Sequence, residues 1–206
     1  MKITTNVLDL FAIVSDATVF ATKVPDNPRI SGAALERHNG LLLSIATDRF
    51  RFGVSSAPAG FDGPDDWHIW IPYDEIKQLH ATVKGYGSAR ARATMPVTIT
   101  DQNGTVTFEL PGQTVSFEAQ QSTLPDWREL FARTNPTGST ATFNPGYLKD
   151  FGRITPRGEG TRAIVTVGAG TTPTRVEIGD YFMGLLMPVN PDGITPLYSR
   201  LMGGTQ

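Results

Sequence analysis

Apolar positions along the first fifty residues change period twice. Val7, Leu10, Phe11 and Val14 recur at helical spacing, and Thr5 and Asn6 ahead of them supply N-cap chemistry, so a helix is predicted that frays over Thr18 to Thr22. Turn residues then break the chain at Lys23-Val24-Pro25-Asp26-Asn27-Pro28. Strands are predicted from Arg29 to Leu35 and from Gly40 to Ala46, around a turn at Arg37-His38-Asn39-Gly40, with another strand from Arg51 to Ser55.

The same order recurs. Trp67 to Ile71 alternates as a strand, Pro72 stops it, and Tyr73 to Lys84 reads as a helix with Ile76, Leu79 and Val83 inward. Strands follow at Val97 to Thr100, Thr105 to Leu110 and Thr114 to Ala119, separated by the turns Gln102-Asn103-Gly104 and Pro111-Gly112. After a connector containing Leu124-Pro125-Asp126-Trp127, a third copy opens with a strand at Thr140 to Phe143. Asn144-Pro145 then forms an N-cap with proline at the first helical position, Gly146 to Ile154 forms a short helix, and Arg162 to Val167, Thr174 to Ile178 and Tyr181 to Met187 form strands. A unit repeating at roughly 55 to 70 residues, unable to bury its sheet and helix alone, suggests pairs of units packing into domains. Taken alone, the periodicity fits any α+β protein of alternating hairpins and helices.

Composition narrows the function classes. The 206 residues, 39% of them hydrophobic, suffice for one or two domains with a core. The absence of cysteine excludes disulfides, thiolate catalysis and cysteine-ligated zinc. No basic start with an apolar run after it, and no apolar stretch near the roughly 20 residues that span a bilayer, are present, so a cytoplasmic protein without a membrane partner is expected. The net charge of -2 argues against a global basic field, leaving any nucleic-acid contact to local patches.

Catalysis finds little footing. His38, His68 and His80 are not spaced as metal ligands on one element, and the Asp62, Asp65 and Asp66 cluster is ordinary turn chemistry. Gly85-Tyr86-Gly87 follows a helix rather than a strand, unlike a phosphate loop. The expectation is no enzyme, no metal and no cofactor. Basic residues instead form stripes: Lys77, His80 and Lys84 on the second helix, and Lys149, Arg153 and Arg157 at every fourth position from the third. Such stripes either face phosphates or are solvated helix faces.

Several motifs carry a resemblance. Asn27-Pro28-Arg29-Ile30-Ser31-Gly32, Ala46-Thr47-Asp48, Leu124-Pro125-Asp126-Trp127, Phe143-Asn144-Pro145-Gly146-Tyr147-Leu148-Lys149-Asp150 and Met187-Pro188 stand in the order and spacing of the β sliding clamp of bacterial DNA polymerase III and its phage relatives. The chain resembles a reduced form of that family. The resemblance implies an α+β DNA-clamp fold of three β-α-β-β-β units, one complete clamp domain plus a half-domain. Residues 1–125 match the middle domain of bacterial clamps, 126–138 a connector, 139–190 the C-terminal half of the last domain, and 191–206 a tail without counterpart. Arg49 departs from the family, which has glycine after its Thr-Asp pair.

The resemblance also implies a platform that encircles or rests on duplex DNA and tethers a DNA polymerase or other replication protein. Its hydrophobic peptide-binding pocket maps onto Ile30, Thr47, Arg51, Phe52, Pro125, Leu130, Leu185, Leu186, Met187, Pro188 and Val189, with Arg51 orienting the peptide. Leu, Met and Pro walls suit such a groove, although Leu185, Leu186 and Met187 also read as an inward-facing strand. Sequence-independent DNA contacts are expected from Arg29, Lys77, Lys84, Arg90, Arg92, Lys149, Arg153 and Arg157. A clamp loader is a further implied partner. A ring of about twelve units, with three in each chain, would need a homotetramer in which half-domains of two chains complete each other. Two other readings stay open: a non-encircling mimic that sequesters clamp-binding peptides or disrupts a host clamp, and a small hydrolase or isomerase with an unrecognised site.

Overall fold

Asn6 turns strand into helix at the start of the chain. β1 (Lys2–Asn6) runs into α1 (Val7–Phe20), and the Asn6 side chain accepts a 2.9 Å hydrogen bond from the Asp9 amide. The computed structural model describes residues 1–23, 30–120, 124–132, 141–157, 162–168 and 170–190. Arg29, part of the predicted turn before it, and the 191–206 tail lie outside them. Three antiparallel strands follow: β2 (Gly32–His38), β3 (Leu41–Thr47) and β4 (Arg51–Pro58). Asn39 and Gly40 both take positive φ, 48° and 74°, as a two-residue hairpin of matching twist requires. The turn is therefore tighter than the four residues predicted.

A short β5 (Gly60–Asp62) leads to β6 (His68–Pro72) and α2 (Tyr73–Lys84), then to a small helix α3 (Ala89–Ala93). β7 (Pro96–Gln102), β8 (Thr105–Leu110) and β9 (Gln113–Glu118) form a meander, followed by α4 (Trp127–Ala132) and α5 (Pro145–Phe151). β10 (Ala163–Thr166), β11 (Thr174–Ile178) and β12 (Phe182–Leu186) complete the order. The class is α+β, and the described residues form one five-stranded sheet, β5-β1-β7-β8-β9, and one seven-stranded sheet, β10-β11-β12-β4-β3-β2-β6. The preceding strand of each early helix crosses over: β1 pairs with β7 and β6 with β2. Inward residues of both sheets share one core with Leu10, Ile13 and Val14 of α1 and Ile76, Leu79 and Val83 of α2.

Four features depart from the sequence reading or add to it. α4, β5 and α3 were not predicted; α4 starts because Asp126 accepts from the Arg128 amide at 2.9 Å. α5 stops at Phe151, where Gly152 caps it, rather than at Ile154, so Arg153 and Arg157 lie beyond the helix. Residues 141–143 form no strand; among the described residues a single ladder-like bond reaches them, from the Val189 amide to the Thr142 carbonyl, 2.8 Å. Arg49 keeps the left-handed backbone, φ 76°, although it is not glycine. Its amide bonds to Thr47 Oγ1 at 3.2 Å, and Asp48 Oδ1 accepts from the amides of Phe50 and Arg51, so the side chains of the turn hold it.

The junction of β12 with β4 joins the last segment to the first. Phe52 lies opposite Leu185, and Gly53 opposite Gly184. The two glycines leave a pit for three rings, Phe20 of α1, Phe151 of α5 and Phe182 of β12, whose centroids stand 5.2 to 6.1 Å apart. A Cβ on Gly53 would meet Phe20 at 2.8 Å, and one on Gly184 would meet Phe151 at 2.6 Å and the Phe52 carbonyl at 2.8 Å.

Beside this pit lies a buried ion pair. Asp16 of α1, 1% exposed, accepts from Ser55 Oγ at 2.7 Å, the Thr155 amide at 2.9 Å and Arg157 Nη2 at 2.5 Å. Burial pushes the Asp16 carboxyl above its ordinary range against the pull of Arg157, and lowers the guanidinium of Arg157 against the pull of Asp16. Arg157 is thus committed to packing, and is not offered to a phosphate as its sequence spacing suggested.

Arg157→Ala strands the carboxylate, and removing one partner of a buried pair costs about 3 to 5 kcal/mol at neutral pH. In the variant the Asp16 carboxyl rises further above its unfolded pKa. The folded state then binds the extra proton, stability falls as pH rises from about 4, and the deficit against the parent shrinks on acidification. Urea unfolding of both proteins at pH 4 and pH 7 measures this; equal midpoints at pH 7 contradict the assignment.

Candidate functional site

The segments 47–52 and 185–189, far apart in sequence, meet at the β4–β12 junction. The turn between β3 and β4 is braced from within: Thr47 Oγ1 donates to the Arg51 carbonyl at 2.7 Å, and Asp48 accepts from Arg51 Nε at 3.0 Å and Nη2 at 2.6 Å. Arg51 Nη1 reaches Asp150 of α5, and the guanidinium lies 4.9 Å from the Tyr147 ring. All three nitrogens are engaged and the side chain is 9% exposed. Arg51 therefore clamps α5 to the turn; it is not a free donor at a groove rim, as expected of it.

The strand alternation splits the other predicted walls. Phe52 and Leu185 face outward into a second apolar cluster with Ala34, Ile45, Val54 and Trp70, whereas Leu186 is fully buried in the main core on the opposite face. Leu186 and Leu185 therefore cannot line one groove. Thr47 is also buried. Leu130 packs on the outer cluster with Trp127, Phe131 and Leu124, so α4 covers the outward face that sequence assigned to a peptide. Phe131 meets Phe52 edge-on at 6.3 Å. Ile30 is half-buried two residues before β2, Pro125 is exposed beside α4, and Pro188 is half-buried.

Side chains not foreseen as functional fasten α4. Trp127 Nε1 donates to Glu36 Oε2 at 3.2 Å, Arg128 pairs with Glu36 and donates to His38 Nδ1 at 2.9 Å, and His38 stands edge-on to Trp127. Cavities open on two sides of the helix, about 460 Å³ against Ala34, Ile45 and Leu124, and about 250 Å³ against Leu43, Val54 and Met183. Trp127 and His38 wall both. Phe50 is the other residue that sequence did not single out. It is 53% exposed, stacks on Tyr147, and its carbonyl accepts from the Met187 amide at 3.0 Å. With Met187 and Val189, each 38% exposed, it forms an apolar knuckle at the edge of the junction.

The predicted DNA-contacting residues scatter. Lys77 and Lys84 are exposed on α2 and Arg90 on α3. His80 turns away from their stripe: it bonds Ser15 Oγ at 2.9 Å and stacks on Phe11, and burial, followed by Lys84 and Arg92, holds its pKa below the ordinary value. Arg92 is half-buried over Phe11, 4.2 Å from the ring, and donates to the Lys84 carbonyl at 2.9 Å. Lys149 is exposed on α5, and Arg153 is 59% exposed while paired with Asp150 at 3.2 Å. Arg29 lies outside the described residues, and Arg157 is buried with Asp16. Among the described residues no group of three His, Asp or Glu side chains is placed to hold a metal ion, and no helix is long and apolar enough to cross a membrane.

Comparison with solved structures finds the same fold. A DNA polymerase III β subunit of Eubacterium rectale superposes with a TM-score of 0.74 over 92% of this chain and 66% of its own, at 13% identity. The β subunit of Thermotoga maritima gives 0.70 over 98% and 67%, at 11% identity. The DNA polymerase sliding clamp of Pseudomonas aeruginosa gives 0.71 over 92% and 67%, at 16% identity. The chain spans about two thirds of the length of these proteins. No family model and no curated protein matches the sequence. The fold is that of the β sliding clamps.

Proposed function

We propose that this chain is a clamp-like processivity factor: a non-catalytic platform that lies on or around duplex DNA and tethers a DNA polymerase or another replication protein. What supports the reading is the likeness to β clamps over more than nine tenths of the chain, together with the meeting of residues 47–52 and 185–189 at the β4–β12 junction. The partner segment docks on the Phe50, Met187 and Val189 knuckle and against the Pro125 side of α4, because Phe52 and Leu185 are already covered. An extended peptide with leucine and aromatic anchors fits that chemistry, and the methionine adapts to more than one anchor. DNA is held through phosphates by Lys77, Lys84, Arg90 and Lys149, without base readout.

The net charge of -2 and the commitment of Arg157 to an internal pair favour a second reading, a clamp mimic that captures clamp-binding peptides without encircling DNA. The two share the knuckle and differ at the helices.

Met187→Asp places a charge in the knuckle and is expected to weaken capture of a fluorescent Leu/Phe-bearing polymerase peptide at least tenfold by anisotropy, with the thermal midpoint unchanged; undiminished capture removes the knuckle from the site. For DNA, Lys77→Glu with Lys84→Glu is expected to lower affinity and to flatten the plot of log affinity against log salt by about 0.9 for each phosphate that is no longer neutralised. A parent protein that shows no salt-dependent DNA binding selects the mimic.

A further inference from the structure

Two rules of pairing repeat within the fold. The strand that precedes a helix is flanked on one side by chain that follows the last strand of its own segment: β5 pairs with β1, and Gln120 accepts from the Trp70 amide of β6 at 2.8 Å. On its other side it pairs with the first strand after the other helix, β1 with β7 and β6 with β2. The stretch 141–144 before α5 satisfies the first rule, since Val189, beyond β12, donates to Thr142. Thr142 and Trp70 each stand two residues ahead of their helix caps, Asn144 and Pro72. Among the described residues the second rule is unmet: β10, the first described strand after α5, is the end strand of its sheet.

Among the described residues that edge is also the least protected one. β5 is short and ends on Asp62, β6 is bridged by Gln120, and β9 alternates exposed Thr114, Ser116 and Glu118 with buried positions. β10 carries neither charge nor proline, and exposes Ile164 by 63% and Val165 by 50%. Val165 and the half-exposed Leu148 of α5 border an apolar cavity of about 280 Å³ floored by Phe151, Val176 and Tyr181. Tyr181 Oη is buried there without a hydrogen-bond partner among the described residues.

We infer that a second copy of this chain completes the last segment by reciprocal strand exchange: the 141–144 stretch of each copy pairs antiparallel with β10 of the other. Only a body that offers both a strand before a helix and an open strand after one fills both vacancies together, and a two-fold-related copy does so. The internal templates set the register. Ile3 lies opposite Ile99 and Thr4 opposite Thr98; matching inward faces puts Ala141 opposite Val165 and Thr142 opposite Ile164. Like Trp70 against Ala34, Thr142 directs its ladder bond away from the new partner, so Thr142 and Ile164 form a non-hydrogen-bonded pair with close Cβ atoms. This interface does not depend on DNA or peptide binding, so peptide capture by a protein that stays monomeric would sink the interface and leave the platform intact.

The chain has no cysteine, which makes the register directly testable. The full-length double variant Thr142→Cys/Ile164→Cys is expected to form a covalent dimer under mild oxidation, while either single variant does not. Light scattering of the parent is expected to show a dimer or a multiple of it, which Val165→Lys dissociates. A parent that is monomeric at every concentration overturns the inference. So does an assembly that forms but yields no cross-link, which would assign self-association to another edge such as β9.

Discussion

The structure depends on the seam between β4 and β12. Two glycines, Gly53 and Gly184, face each other across it and let three phenylalanines from α1, α5 and β12 sit directly on the sheet. Added Cβ atoms would meet a ring or a carbonyl within 2.8 Å, so the seam tolerates no larger residue without displacement. Through it the seven-stranded sheet becomes continuous across chain segments more than a hundred residues apart, and the knuckle of Phe50, Met187 and Val189 comes together at its rim. Function is proposed at this rim because the same close approach that closes the core inside leaves apolar side chains outside.

Charge serves assembly here more than recognition. Arg51 and Arg157 both look like candidates for contact with partners when read as isolated basic residues. Each instead bridges the first segment to the last, Arg51 from β4 to Asp150 and Arg157 to Asp16 of α1. A buried arginine with its carboxylate in place stabilises weakly in net terms, yet removing either partner is costly, so such pairs fix which surfaces meet. The basic side chains left free of such buried pairs are a small set on α2, α3 and α5, in a protein whose net charge is -2.

Much of the fold was legible. Helical spacing at Val7 to Val14 and Ile76 to Val83, the caps at Asn6 and Asn144, and the turns at Asn39-Gly40 and Asn103-Gly104 are local signals, and each appears in the structure. The candidate site was legible only as two segments that ought to meet. Which of their side chains face out depends on the β4–β12 register, and a one-residue alternation separates buried Leu186 from Leu185. The covering role of α4 was hidden because a six-residue helix has almost no periodicity to read; its stability comes from Trp127 and Phe131 packing on a distant sheet.

The failed strand at 141–143 belongs to a different class of error. Its residues alternate as a strand should, and the chain before both earlier helices does become one. Strand formation, unlike helix formation, needs a partner edge, and the partner in the earlier cases comes from a different segment of the chain. A propensity read along one sequence carries no information on whether that edge exists. Among the described residues, the segment therefore reaches α5 with the sequence of a strand and only the Val189 side of it bonded. The mismatch between a local preference and the pairing available to it falls on the same segment that leaves Ile164, Val165 and Leu148 exposed, which is why the proposed second copy is placed there.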